Sequence, residues 1–155
     1  MKSICFIYLS NFENASRIER FAKFYSTKLK SRKICCIGKT STSNKFIKKN
    51  FILDIPVILL NFSDKLPKPF SLLIWSFSAF RNLAKIKPNI ISCESVSVAP
   101  LCLVYSFFYK CEIIYAPHEY ECFTSEYSNK LKKFFALIIE RLIVLKSKCI
   151  ITVSK

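Results

Sequence analysis

Short apolar runs that alternate with longer stretches of helical periodicity constrain this chain's fold more than any other feature. The first run, ICFIYLS at 4–10, is short and continuously apolar, which is typical of a strand buried in a parallel sheet. Further runs of this kind lie at 33–38, 89–93, 111–115 and 148–153, and the run 52–62 is strand-like but interrupted at Pro56.

Helical periodicity fills the segments between these runs. The spacing predicts a helix from a cap at Asn14 or Ser16 to about Lys30, and further helices over 70–85, 96–109 and 129–146. The polar stretch KTSTSNKFIKKN, at 39–50, is predicted to be a loop. Strands joined by helices form right-handed crossovers, so we expect one α/β domain: an open parallel Rossmann-like sheet with helices on both faces.

Composition narrows the class of partner. The chain carries 25 Lys and Arg against 10 Asp and Glu, a formal net charge of +15, which favours phosphate-rich partners such as anionic membranes or nucleotide substrates. The lysines form small scattered groups, and each group can be interpreted as ordinary solvent-exposed surface. They follow no nucleic-acid recognition element, so no nucleic-acid partner is expected. The charge and the aromatic helix around Trp75 together predict peripheral membrane contact.

Several other classes of site are disfavoured. None of the most apolar segments reaches the roughly 18–20 residues that a membrane-spanning helix needs. The N-terminus does not resemble a signal peptide. We therefore expect a cytoplasmic protein, peripheral to the cytoplasmic membrane face. The eight cysteines form no CxxC pair and only one histidine is present, so neither a zinc site nor a disulfide framework is expected. A single glycine excludes a glycine-rich phosphate loop.

Candidate site residues follow the predicted strands. His118 and Glu119 come directly after the strand 111–115, Glu94 follows the strand 89–93, and Arg17 follows the first strand. Ligands of open α/β sheets gather at the carboxyl ends of strands, so we expect these four at one edge of the sheet. Each also has a structural interpretation: His118 as a loop histidine, Arg17 as an exposed first-turn residue, and Glu94 as an acid that helps to cap a helix.

The runs EIIYAPHEYE and IIERLIVLKSKCIITVSK together resemble the amino-terminal half of family 4 glycosyltransferases of the GT-B fold, with a strand ending in D-x-H-E, a helix with an E-R pair and a strand ending in "tvS". The segment Pro88–Ile91 is similar to the family's "kPDvih" strand, and Arg17 to the arginine of its first helix. The chain departs from the family at Ala116, where an Asp is usual, at Glu94–Ser95, where His-Asp is frequent, and in lacking a glycine pair after the first strand.

The resemblance implies an acceptor-side domain over 1–155 of a retaining enzyme that takes a sugar from a nucleotide-sugar donor without metal or cofactor. It implies that His118 lies near the transferred sugar, with Glu119 and Arg17 as substrate-binding residues. Glu94 is a further substrate-binding candidate because of its position after the strand 89–93. The family's carboxyl-terminal domain, which binds the donor and carries an E-x7-E motif, has no counterpart in these residues. We therefore expect the isolated chain to be inactive without a donor-binding domain, and the chain to be either a truncated product or half of a split enzyme whose donor domain is a separate chain. A lipid-linked or glycan acceptor suits the basic surface. The alternative is a non-catalytic remnant that binds a membrane or a partner chain.

Overall fold

The computed structural model describes residues 3–11, 16–28, 33–40, 49–52, 55–62, 66–117 and 129–152. Within these ranges the strands are β1 (Ile4–Asn11), β2 (Ile34–Thr40), β3 (Lys49–Ile52), β4 (Ile55–Asn61), β5 (Ile90–Cys93), β6 (Glu112–Tyr115) and β7 (Cys149–Ile150). The helices are α1 (Ser16–Lys28), α2 (Lys68–Ile86), α3 (Ala99–Phe108), which follows a 3-10 turn over Val96–Val98, and α4 (Lys130–Lys146).

The strands of the described ranges form one seven-stranded sheet in the order β3-β4-β2-β1-β5-β6-β7. Every neighbouring pair is parallel except β3 and β4. The central strand β1 pairs with β2 on one side and β5 on the other, with Ile4 in register with Ile34 and Ile90. The predicted open parallel sheet is therefore confirmed.

The loop predicted over 39–50 is wrong at both ends. Strand β2 continues to Thr40, and β3 begins at Lys49 and pairs antiparallel with β4. The segment KNFI of β3 has two polar residues followed by two apolar ones, without the alternation typical of a strand, so only its pairing at the edge of the sheet makes it a strand. Strand β4 tolerates Pro56, which has no backbone N–H to donate, because its ladder with β2 begins one residue later, at Val57.

Alternate residues of β1 enter two separate hydrophobic clusters. Cys5 and Ile7 pack in a cluster beneath α2, α3 and α4, whereas Ile4 and Phe6 pack in a cluster with Ile18 of α1. This alternation follows from the two-residue period of a strand. It confirms the prediction that helices cover both faces of the sheet.

Trp75 lies in the larger cluster and is fully buried. It forms part of the inward face of α2, with Ser71, Ala79 and Leu83. The indole itself is therefore enclosed by the protein, and the membrane contact expected from the net charge and the aromatic helix around Trp75 stays a prediction. Helical periodicity predicts that Trp75 and its aromatic neighbours lie on one helix, but it does not predict which of these side chains face the sheet.

Candidate functional site at the carboxyl edge of the sheet

Three adjacent strands end together at the edge where the candidate residues were expected. Ile7 of β1 is in register with Cys93 of β5, which is in register with Tyr115 of β6. The ladder extends one residue further, because the Glu94 amide donates to the Ile7 carbonyl (3.3 Å) and the Ala116 amide to the Cys93 carbonyl (2.9 Å). Glu94 and the chain leading out of β6 thus lie side by side at the carboxyl edge.

Glu94 is a fully buried carboxylate, and the strand that precedes it supplies a hydrogen-bond donor. The Ser92 hydroxyl, itself buried, donates to Oε1 of Glu94 over 2.6 Å. That distance is typical of a hydroxyl bonded to a carboxylate. The first turns of the 3-10 segment and of α3 contain no acid, so Glu94 is not the first-turn capping acid of the structural alternative.

The charge of Glu94 also influences two cysteines on either side of the sheet. Burial raises the pKa of the Cys36 thiol, and the charges of Cys35 and Glu94 raise it further. Burial is also the largest cause of the raised pKa of Cys102, with the Glu94 charge among the smaller contributions. Cys36 packs on the α1 side of the sheet and Cys102 on the α3 side.

The other candidates are placed only in part. Arg17 is the second residue of α1, the helix that follows β1, but the structure does not describe its side chain. His118 and Glu119 lie outside the described residues, directly after Ala116 and Pro117. A common site for Arg17, Glu94, His118 and Glu119 therefore stays a prediction, as does the role of each in binding substrate.

Sequence reasoning missed Ser92, which orients Glu94. A signal was available, because a serine in a strand predicted to be buried needs a hydrogen-bond partner, and an acid stood two positions later. It also missed Lys39, near the end of β2. The Nζ of Lys39 lies 4.1 Å from the centre of the ring of Phe62, the residue that follows β4. That contact joins residues from two segments of the chain that periodicity treats separately.

Glu140 of α4 is half-buried and accepts a hydrogen bond of 3.1 Å from the Tyr115 hydroxyl. This bond ties α4 to β6. The described part of the chain contains no cluster of three or more metal-ligating side chains. Nor does any helix in that part have the length and apolar character to cross a bilayer.

No family model matches the sequence, and no curated protein matches it either. Several solved structures share its fold. Sucrose-phosphate synthase from Thermosynechococcus elongatus superposes with a TM-score of 0.71 at 10% identity, over 97% of this chain and 42% of that one. HepE from Anabaena, solved with UDP and glucose, gives 0.60 at 12% identity over 97% and 38%. A UDP-GlcNAc 2-epimerase from Methanocaldococcus jannaschii gives 0.59 at 14% identity over 98% and 39%.

The matched enzymes are more than twice as long as this chain, which spans about two fifths of each. They are glycosyltransferases and related enzymes of the GT-B fold. At 10–14% identity the likeness concerns the fold alone. The chain therefore has the Rossmann-like α/β fold of a single domain of GT-B enzymes.

Proposed function

We propose that this chain is the acceptor-side domain of a family 4 glycosyltransferase, which moves a sugar from a nucleotide-sugar donor to a lipid-linked or glycan acceptor. The observation that carries the proposal is the position of the buried Glu94 at the carboxyl edge of a GT-B-like parallel sheet. The segment bearing His118 leaves the neighbouring strand at the same edge. Ligands of such sheets bind there, beyond the strand ends.

Each candidate residue has a role in this proposal. A neutral imidazole at His118 can hydrogen-bond a sugar hydroxyl and can transfer a proton. Glu119 and Arg17 line the cleft, where a carboxylate binds hydroxyls and a guanidinium binds phosphate. Glu94, oriented by Ser92, completes the acceptor side. The reaction uses the nucleotide-sugar as substrate and needs no metal or other cofactor, and the UDP and glucose bound to HepE support that donor class.

The acceptor and the location belong to the same proposal. A lipid-linked acceptor places the domain at the cytoplasmic face of a membrane, where surface polysaccharide is assembled, and the charge of +15 is suited to its phosphates. The donor-binding domain is supplied by a separate chain or by a further part of the protein. Without it, these residues alone are inactive.

The proposal is tested by joining the chain to a donor-binding domain of the GT-B class and measuring sugar transfer from UDP-sugars to lipid-linked acceptors. We expect transfer by the joined protein and none by either part alone. If the joined protein instead epimerises UDP-GlcNAc in the absence of an acceptor, its activity is that of the UDP-GlcNAc 2-epimerase with the same fold. Joined proteins that fold but neither transfer nor epimerise would contradict an enzymatic role.

The second candidate function is non-catalytic binding of a membrane or partner chain. A specific observation favours it, because the helices on one side of the sheet expose many large apolar side chains. A binding role of these residues needs no catalysis. A chain that binds membranes but never supports transfer with any donor domain would favour this alternative.

A further inference from the structure

The exposed apolar side chains of this protein are concentrated on one side of the sheet. Helices α2, α3 and α4 cover that side, and their outward side chains form what we call the outer helical face: Phe70, Leu73, Ile74, Phe77, Val104, Phe107, Phe108, Leu131, Phe134, Phe135, Ile138, Leu142 and Leu145. On the opposite side, the described part of α1 exposes one large apolar residue, Phe24. An apolar surface of that extent marks a protein or membrane contact.

Helix α4 shows the pattern most clearly. Its buried residues are Ala136 and Ile143, seven positions apart, so they lie on one side of the helix. The outward stripe from Leu131 to Leu145 is equally apolar, and Leu145 is 74% exposed. A surface helix normally has one apolar stripe, which faces the core, so a second apolar stripe on the outward side is normally covered by a partner. A cavity of about 440 Å³ between α3 and α4, lined by Phe107 and Leu142 among others, adds to this uncovered surface.

The charges around the outer helical face have one sign. Helices α2 and α4 contain eight cations: Lys68, Arg81, Lys85, Lys130, Lys132, Lys133, Arg141 and Lys146. The one acid of α2, α3 and α4 is Glu140, which is half-buried and bonded to Tyr115. A symmetric pair of these faces would set cation against cation, so a second copy is a poor occupant. An anionic partner is complementary.

The position of three lysines also argues for an anionic partner. Lys130, Lys132 and Lys133 occupy the first turn of α4, which contains no acid. The helix dipole disfavours cations there. By helical spacing, Lys130 and Arg141 lie on one flank of the apolar stripe and Lys146 on the other. Helices that lie in the surface of an anionic bilayer have this arrangement, with apolar residues inserted and flanking lysines at the level of the phosphates.

We propose that the outer helical face docks on an anionic lipid bilayer, with α4 lying in the plane of the headgroups. The proposal deepens the membrane contact of the proposed function by assigning its surface and its lipid class. In this orientation the helices separate the sheet from the bilayer. The carboxyl edge of the sheet, where the candidate site is expected, then lies about one helix diameter, ~10 Å, from the bilayer surface. A lipid-linked acceptor could present its headgroup at that height.

The test measures co-sedimentation of the full chain with vesicles of phosphatidylcholine, with and without phosphatidylglycerol. We expect binding to the anionic vesicles that weakens as salt is raised, because the charges are exposed and screened over about 8–10 Å. Sugar transfer does not enter this measurement. A failed vesicle assay and a failed transfer assay are therefore separate results.

Two matched pairs of variants locate the surface. Phe135 and Phe24 are each 56% exposed, and each makes one edge-on contact with the adjacent aromatic residue, at 6.0 and 5.8 Å. We expect Phe135→Ser to weaken vesicle binding about fivefold, from the loss of part of a phenylalanine's burial, and Phe24→Ser to leave it unchanged. Likewise Lys130→Glu removes one favourable charge and adds an unfavourable one, for a loss of about 30-fold, and Lys23→Glu on α1 is the control.

Equal binding to neutral and anionic vesicles overturns the proposal, as does equal loss with Phe135→Ser and Phe24→Ser. A dimer of the wild-type chain in light scattering that Phe135→Ser abolishes would assign the face to a second copy instead. Circular dichroism confirms that each variant folds. If Phe135→Ser does not fold, Leu145→Gln, at the most exposed position of the α4 stripe, replaces it with the same expectation.

Discussion

The hydrogen bond between Ser92 and Glu94 gives a quantitative test of how the carboxyl edge is organised. Ser92 is 2% exposed and Glu94 is 0% exposed, and 2.6 Å separate the hydroxyl from the carboxylate oxygen. Water therefore cannot replace the serine if it is removed. We expect Ser92→Ala to lower the free energy of unfolding by about 1.5–3 kcal/mol, the range for hydrogen bonds to charged groups. In a chain of this size that corresponds to about 2–4 °C in Tm for each kcal/mol.

A double-mutant cycle separates this bond from the other interactions of Glu94. Glu94→Met has a similar side-chain length but no acceptor, and it removes every polar interaction of the carboxylate at once. Those other losses cancel in the cycle when Ser92 takes no part in them. We therefore expect Ser92→Ala to cost less in the Glu94→Met background than in the wild type, by about 1–3 kcal/mol.

The assay is urea unfolding of the four proteins under reducing conditions, followed by far-ultraviolet circular dichroism. Ser106→Ala is the matched control, because the Ser106 hydroxyl donates to the Leu103 carbonyl within α3 over 2.9 Å. Ser106→Ala and Glu94→Met should be additive. A coupling between Ser92 and Glu94 below about 0.5 kcal/mol would refute the claim that the serine holds the carboxylate.

Three further predictions concern catalysis, backbone strain and pH. In the joined enzyme, His118→Ala should slow sugar transfer about 10²–10⁴-fold, and an unchanged rate would remove His118 from the site. Lys87 has φ of 49° at the end of α2, which costs a non-glycine residue about 1–2 kcal/mol, so Lys87→Gly should raise stability in urea unfolding by up to about 1 kcal/mol after the added unfolded-state entropy. Burial raises the pKa of Cys36 and Cys102, and that of Cys111 to about 11, so these thiols stay protonated in the folded chain while the unfolded chain loses protons above about pH 8.5. Stability should then fall between about pH 8.5 and 11, by up to about 1.4 kcal/mol per pH unit for each thiol, and urea midpoints that stay constant over this range would contradict the buried positions.

The strands of the parallel core and the starts of the helices could be predicted from the sequence because their signals are local. A continuous apolar run such as 4–10 can be satisfied only by burial on both faces of a strand. Pro100 in the first turn of α3 needs no backbone N–H, and the Asn129 side chain accepts a hydrogen bond from the Leu131 amide at the start of α4. Such preferences operate within a few residues and do not depend on the rest of the fold.

Strand β3 and the contact of Ser92 with Glu94 depended on tertiary structure. The residues of β3 become a strand because β4 offers them an unpaired edge, which no local pattern records. The alignment of Glu94 beside Ala116 follows from the register of β5 with β1 and β6, and those segments are distant in the sequence. Pairing between distant segments cannot be deduced from periodicity, because many registers satisfy the same pattern.

The sequence by itself determined that this chain is apolar enough to form a buried parallel core and that it carries a formal net charge of +15. It did not determine which apolar residues meet the core. Trp75 and Phe77 stand two positions apart in one aromatic helix, yet Trp75 is fully buried and Phe77 is 65% exposed. The same holds for α4, whose inward and outward faces are equally apolar. Only the packing of the helices on the sheet decided which face is covered, because burial depends on the neighbours of a residue and not on its own hydrophobicity.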